Sequence, residues 1–185
     1  MGDSGDARLA NLLGAVATGL TDAIQDAAAS ATQLDDSAAA GLVAMLDFTP
    51  AGSVQMLSQV LGLTHSGAVR LVNRLARAEL VERLSSDDAR SVTVRLTRPG
   101  RRVALRVRNG RRAAITAALA GLTEQQRDAL TELCEVLVAN VTKQRLSLRA
   151  TGKRPAGGAL CRLCDFRACG RPEGACPAAA AARDT

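Results

Sequence analysis

Rings are almost missing from this chain: Phe48 and Phe166 are the only Phe, Tyr or Trp residues among 185. That scarcity argues against binders of RNA or single strands, which stack bases on aromatic side chains. Histidine occurs once, as His65, and lysine twice, as Lys143 and Lys153. A single histidine at the start of an arginine-bearing helix assembles no Ser–His or Cys–His pair elsewhere. No phosphate-cradling glycine loop is present either, so the chain reads as a non-enzyme. Every long helical candidate carries charges at short intervals, which excludes an apolar run that could span a bilayer. The opening residues, MGDSGDAR, are acidic where a secretory leader needs a basic start and an apolar core. These absences predict a cytoplasmic protein with no membrane partner.

What is present concentrates between Met56 and Gly100. A helix there ends at Gly62, where a residue lacking Cβ takes the left-handed conformation of a sharp turn. Thr64 follows as the N-cap of a second helix. In that helix Ala68, Leu71, Val72 and Leu75 fall at i, i+3, i+4 and i+7, one apolar stripe, while Ser66, Arg70, Asn73, Arg74 and Arg77 lie on other faces. Val81–Leu84 and Ser91–Leu96 read as strands, the second alternating Val92, Val94, Leu96 against Thr93 and Arg95. Ser85, Ser86, Asp87 and Asp88 supply the turn between them. Helix, turn, helix and charged hairpin make a winged helix-turn-helix, whose second helix enters a major groove while the hairpin reaches phosphates or the minor groove. The fold class is therefore mainly α with a small β-wing. The candidate DNA-binding residues are Thr64, His65, Ser66, Gly67, Arg70, Asn73 and Arg74 on the helix, with Arg83, Asp88 and Arg90 on the wing.

Charge is distributed to match. Residues 1–63 hold one basic residue, Arg8, against seven aspartates, whereas residues 64–112 hold thirteen arginines against Glu79, Glu82, Asp87 and Asp88. The net charge of +6 understates that local field. An arginine-rich helix taken alone is more often a solvated face, but here it coincides with the turn and the wing.

The stretch LGLTHSGAVRLVNRL followed by DDARSVTVRLTRPG resembles the MarR family of bacterial winged-helix regulators, the wing residues in common being Asp88, Arg90, Leu96, Thr97 and Gly100. With its flanking helices the resemblance covers residues 7–148. Two positions depart from it: Glu79 stands where the family commonly has glycine after the recognition helix, and the wing lacks the proline that often precedes its acidic residues. The stripes Leu9, Leu12, Leu13, Val16, Leu20, Ile24 and Leu130, Leu133, Cys134, Leu137, Val138, Val141 could complete one intramolecular core. The resemblance implies instead that helices at about 7–29 and 97–148 intertwine in a homodimer around a DNA-binding lobe at about 49–100. It further implies a small-molecule effector cleft between the two. Gly121 ends the helix that begins near Thr97, and Thr123 with Gln126 forms a capping box for the next. A dimer predicts a palindromic operator with half-sites roughly 34 Å apart.

Residues 149–185 read as an addition, a linker and then Cys161, Cys164, Cys169 and Cys176 in the pattern C-x2-C-x4-C-x6-C-P. Four thiols with only Leu160, Leu163 and Phe166 as large apolar neighbours are not there for packing. They can hold Zn2+ or an iron–sulfur cluster, act as redox thiols without any cofactor, or belong to a disordered tail with no regulatory role. Cys134, on an apolar stripe, is expected to be an inert buried thiol. The leading function is an effector-, redox- or metal-responsive transcriptional regulator that binds specific double-stranded DNA. The other is a metal- or redox-binding interaction protein whose winged helix docks protein.

Overall fold

Short polar side chains punctuate the chain where its helices begin, and the fold follows from that punctuation. The computed structural model describes residues 3–48, 51–84, 93–153 and 157–183. In chain order they form α1 (Asp3–Thr32), α2 (Asp36–Asp47), β1 (Ala51–Ser53), α3 (Val54–Leu61), α4 (His65–Arg77), β2 (Val81–Leu84), β3 (Thr93–Leu96), α5 (Arg98–Ala118), α6 (Glu124–Ala150), a 3-10 turn (Leu160–Leu163) and α7 (Pro177–Arg183). Asp35, Ser53, Thr64, Thr97 and Thr123 each accept a backbone N–H from the first turn of the helix that follows. The capping box expected of Thr123 and Gln126 is formed.

Helix α2 is the centre. Every residue from Ala38 to Met45 is buried, so this helix has no solvent face over two turns. On one side Leu42, Ala44 and Met45 join Leu57 of α3, the Ala68, Leu71, Val72, Leu75 stripe of α4 and Val94 of β3. On the other, Ala39 and Val43 meet Ala28 of α1 and Val107 of α5. The small side chains of α2 let both layers approach: a Cβ on Gly41 would lie 3.2 Å from Leu71. The sheet has the order β1-β3-β2, antiparallel throughout, with Val81 opposite Leu96 and Leu84 opposite Thr93. β2 spans the expected residues. β1 was not anticipated: its three residues are too short to carry an alternation. Ser91 and Val92, assigned to the second strand from the sequence, lie outside the described residues, as does the whole wing turn 85–92.

The end of α4 resolves the departure at Glu79. Glu79 N–H donates to Ala76 O (3.0 Å) and Leu80 N–H to Leu75 O (2.9 Å), the paired bonds of a Schellman motif, and Glu79 itself is left-handed with φ +56°. The helix therefore stops where a glycine would have stopped it, with a side chain bearing the steric cost. Thr97 fastens this corner to α5, its hydroxyl donating to Glu79 O at 2.7 Å and its N–H to Leu80 O at 3.1 Å.

The segment read as a linker ends against the lobe. Ala159 N–H donates to Val60 O at 2.7 Å, and the Arg145 guanidinium donates to Gly158 O. A Cβ on Gly158 would sit 2.3 Å from Val60 O, and one on Gly62 2.5 Å from Gly158 N, so two left-handed glycines let one backbone cross the other. Beyond it Phe166 meets Phe48 edge-on, centroids 4.8 Å apart, with Arg171 lying 4.5 Å from the Phe166 ring. Arg108 of α5 bridges Asp47 (3.2 Å) and Asp165 (3.4 Å). Leu163 touches both core clusters. α6, by contrast, buries none of its residues, and Cys134, expected to be buried, is exposed in the single chain. α7 packs against α6, yet Leu133, Val136, Leu137, Val138 and Val141 stay exposed.

Two outcomes follow. Glu79→Gly removes the left-handed strain but adds unfolded-state freedom, so a net gain of about 0.5–1 kcal/mol is expected by denaturant titration; a loss would show that the Glu79 side chain contributes more than its strain costs. Asp35 caps α2 and also takes a bidentate ion pair from Arg74. Burial raises its pKa, but hydrogen bonds from Ser37, Ala38 N–H and Arg74 outweigh that and hold it below its ordinary value. A lowered folded value stabilises above the ordinary carboxylate pKa and is lost as pH falls through the folded one. Asp35→Asn keeps a cap and drops the charge, so its deficit, no more than about 1 kcal/mol for so exposed a pair, should hold constant from neutrality down to the ordinary carboxylate pKa and shrink only as pH falls below it.

Candidate nucleic-acid interface

Burial of the Ala68, Leu71, Val72, Leu75 stripe against α2 and α3 dictates which side of α4 faces out. Thr64, His65 and Ser66 are exposed at its start. Thr64 Oγ1 is engaged by Gly67 N–H (3.1 Å) and by Ser66 Oγ (3.2 Å), so Gly67 serves here as a capping amide. Arg70 and Arg77 are exposed and have no partner among the described residues. Together with Gly67, Leu71, Asn73 and Arg74 they line an open concavity of about 400 Å3 along the helix. Arg77, left out of the candidate set, belongs to this surface. Its signal was its spacing of seven from Arg70, two turns along the same face.

The remaining candidates are not equivalent. Arg74 donates to Asp35 and to Ser37 Oγ (3.2 Å), which ties the recognition helix to the N-terminus of α2. Arg83 of β2 donates to Asn73 Oδ1, linking wing to helix. Arg95, across the sheet, is paired with Glu82 at 2.8 Å. The guanidinium groups thus divide into Arg70 and Arg77, without a partner among the described residues, and a set that fixes the geometry of helix and wing. Asp88 and Arg90 lie outside the described residues. His65 opens onto a second concavity of about 510 Å3 formed by Gln55, Ser58, Gln59, Gly62, Leu63, Arg149 and Gly158, where the tail crosses the turn.

The cysteines follow where the tail leaves that crossing. Cys161 and Cys164 flank one 3-10 turn, and the Cys169 thiol donates to Phe166 O at 3.5 Å. Donation from Cys161, opposed by burial and aided by Arg111, Arg171 and Arg162, lowers the Cys164 pKa to about 6, while the same bond, then burial, pushes Cys161 up. Burial first of all raises Cys169. All are free thiols, with Cys176 buried. Among the described residues no three metal-ligating side chains converge as a ready coordination site. No described helix is long and apolar enough to cross a membrane.

Comparison with known proteins settles the family. The MarR family sequence model matches residues 32–91. A MarR family protein of Mycobacterium tuberculosis is 30% identical, over 74% of this chain and 98% of that one, with a TM-score of 0.56. A MarR family protein from Bacillus stearothermophilus aligns at 22% identity over 77% of this chain and 99% of its own, with a TM-score of 0.66. An organohalide-sensing transcriptional regulator, solved with 2,4-dichlorophenol bound, aligns at 15% identity over 70% and 79%, with a TM-score of 0.52. Curated protein sequences yield no match. With its helix-turn-helix and three-stranded wing sheet, and a relative 30% identical along almost its whole length, this chain belongs to the MarR family of transcriptional regulators.

Proposed function

We propose that the chain is a homodimer that reads a palindromic duplex operator and whose hold on DNA is set by a small effector. The observation that carries the DNA reading is α4: a buried stripe on one side and, on the other, Arg70 and Arg77, without a partner among the described residues, flanking a concavity beside the wing. Guanidinium forks are the commonest readers of guanine edges and of phosphates. In this reading Thr64, His65, Ser66 and Gly67 approach the backbone at the start of the helix. Arg70 and Asn73 face base edges, Arg83 and Arg74 hold the geometry, and Arg90, oriented by Asp88, reaches the minor groove from the wing tip. MarR-family proteins are regulators rather than enzymes.

The dimer is supported by what the single chain leaves bare. Leu9, Leu12, Leu13 and Val16 of α1 and Leu133, Val136, Leu137, Val138 and Val141 of α6 are exposed. Two apolar stripes on long helices at the two ends of the domain exceed the scattered apolar exposure of a monomer. A second copy is the occupant that the family favours. For the effector, a cleft of about 260 Å3 lies between α1, α2 and the tail, walled by Thr21, Ile24, Ala28, Asp36, Ala39 and Arg111 with Leu160, Arg162 and Leu163. It is slightly smaller than most ligand pockets and suits a compact molecule, as the 2,4-dichlorophenol-bound regulator illustrates for its own protein.

Binding to duplexes selected from a random pool, followed by anisotropy across a salt series, tests the reading. Arg70→Ala should cost about 1–3 kcal/mol and relax specificity. Arg90→Ala should weaken all sequences and reduce the salt slope by about 1. Arg74→Ala should lower the melting temperature as well as affinity, because it leaves Asp35 unpaired. Unchanged affinity in both Arg70→Ala and Arg90→Ala, or binding that salt does not weaken, would overturn DNA reading in favour of protein docking.

A further inference from the structure

DNA reading leaves the cysteine segment without a purpose, yet its backbone is organised around its thiols. Cys164 N–H donates to Cys161 O (3.0 Å), which closes the 3-10 turn and sets both side chains on one knuckle. Cys169 N–H donates to Asp165 O (3.2 Å), and the chain then reverses through Gly170 and Gly174, both left-handed. Arg171 N–H to Phe166 O (3.0 Å) and Ala175 N–H to Gly170 O (2.8 Å) lock that reversal, which returns Cys176 to Cys169. The result is two thiol-bearing turns in one short segment, Cys161 with Cys164 on the first and Cys169 with Cys176 at the two ends of the second.

Three roles compete for such a group. Packing fails, because around the thiols only Phe166, Ala178 and Ala181 are buried apolar side chains. Neutral disulfide pairs would explain the pairing on each turn, but not the charge around them. Arg162 stands between Cys161 and Cys164 in the 3-10 turn, Arg111 lines one cleft with Arg162 and Leu163, and Arg171 stacks on Phe166, two residues beyond Cys164; gathering three guanidinium groups near neutral sulfur gains little. A divalent ion held by four thiolates carries a net charge of −2, and cations gathered at its edge are what such a site needs. Zn2+ has no geometric demand beyond a tetrahedron and accepts four thiolates at about 2.3 Å from C-x2-C knuckles.

We propose that Cys161, Cys164, Cys169 and Cys176 are the four ligands of one structural Zn2+, which draws the two thiol pairs together and staples the tail to the recognition lobe. The staple is direct. Two residues before Leu160, Gly158 crosses Gly62 at the helix-turn-helix turn, and between the pairs Phe166 and Asp165 fasten to Phe48 and Arg108. Zinc binding is then partly tail-docking free energy.

The full chain, purified without oxygen and under reduction, is loaded with Zn2+ or with Co2+ as a spectroscopic substitute. One zinc per chain is expected, as are thiolate-to-cobalt charge-transfer bands with the intense d–d absorption of a tetrahedral tetrathiolate. Under a competing chelator each of Cys161→Ser, Cys164→Ser, Cys169→Ser and Cys176→Ser should retain less than about a tenth of the wild-type zinc, and Cys134→Ser all of it. Removing zinc should lower the thermal midpoint by about 5 °C or more and expose the segment beyond Gly158 to protease. If the serine variants do not fold, the wild-type cobalt spectrum still decides. Absence of metal from the loaded wild type overturns the proposal. So does iron with acid-labile sulfide, or a pair of disulfides whose formation metal does not prevent. None of these readouts involves DNA, so the proposal stands or falls apart from the operator reading.

Discussion

Two backbones cross at Gly62 and Gly158 with no room for a Cβ on either, and much of this molecule is arranged around that crossing. Gly62 makes the turn that delivers Thr64 to cap α4, so the orientation of the recognition helix begins there. Gly158, seated on the same turn, fixes where the tail starts, which places Leu163 against both core clusters and Phe166 on Phe48. A side chain at either glycine would have to push whole backbone aside, something no rotamer change can absorb. The turn of the DNA reader and the root of the cysteine segment are therefore one structural element.

The recognition helix is held from a second direction by α2. Burial of α4's stripe supplies the energy, since a fully buried Leu contributes about 1.5–3 kcal/mol. Burial alone leaves the helix free to rotate slightly in its groove. The Arg74–Asp35 pair and the Arg83–Asn73 bond are half-exposed and energetically modest, but they fix rotation and wing distance. Arginines that never touch a ligand can set the aim of those that do.

The helix-turn-helix was legible because its signals are local: Gly62, Thr64 and a stripe with period 3.6 lie within a few residues. The capping box at Thr123 was legible for the same reason. Glu79 departs from the family in residue type but not in geometry, because Schellman bonds and the Thr97 clasp hold a non-glycine in the left-handed region. β1 escaped notice because three residues carry no period. Tail docking was beyond reach: Phe48 and Phe166, the only two rings, meet across more than a hundred residues, and nothing in either neighbourhood marks the other. The stripe around Cys134 is apolar, but apolar does not mean covered within one chain. Which arginines stay free could not be read either, since Asp35, partner of Arg74, lies 39 positions away.

The crossing at Gly62 also orders events in time. Closing a loop of nearly a hundred residues costs only about 0.6 kcal/mol more than closing one half as long, so the contact is thermodynamically cheap. It is kinetically late, because contacts distant in sequence form after the local ones that make α3 and α4. On the ribosome, chains emerge N-terminus first at roughly 5–20 residues per second. The recognition lobe is therefore made, and its turn left open, for several seconds before the segment that roofs it exists. During that interval the nascent protein presents a bare helix-turn-helix corner that the finished one does not.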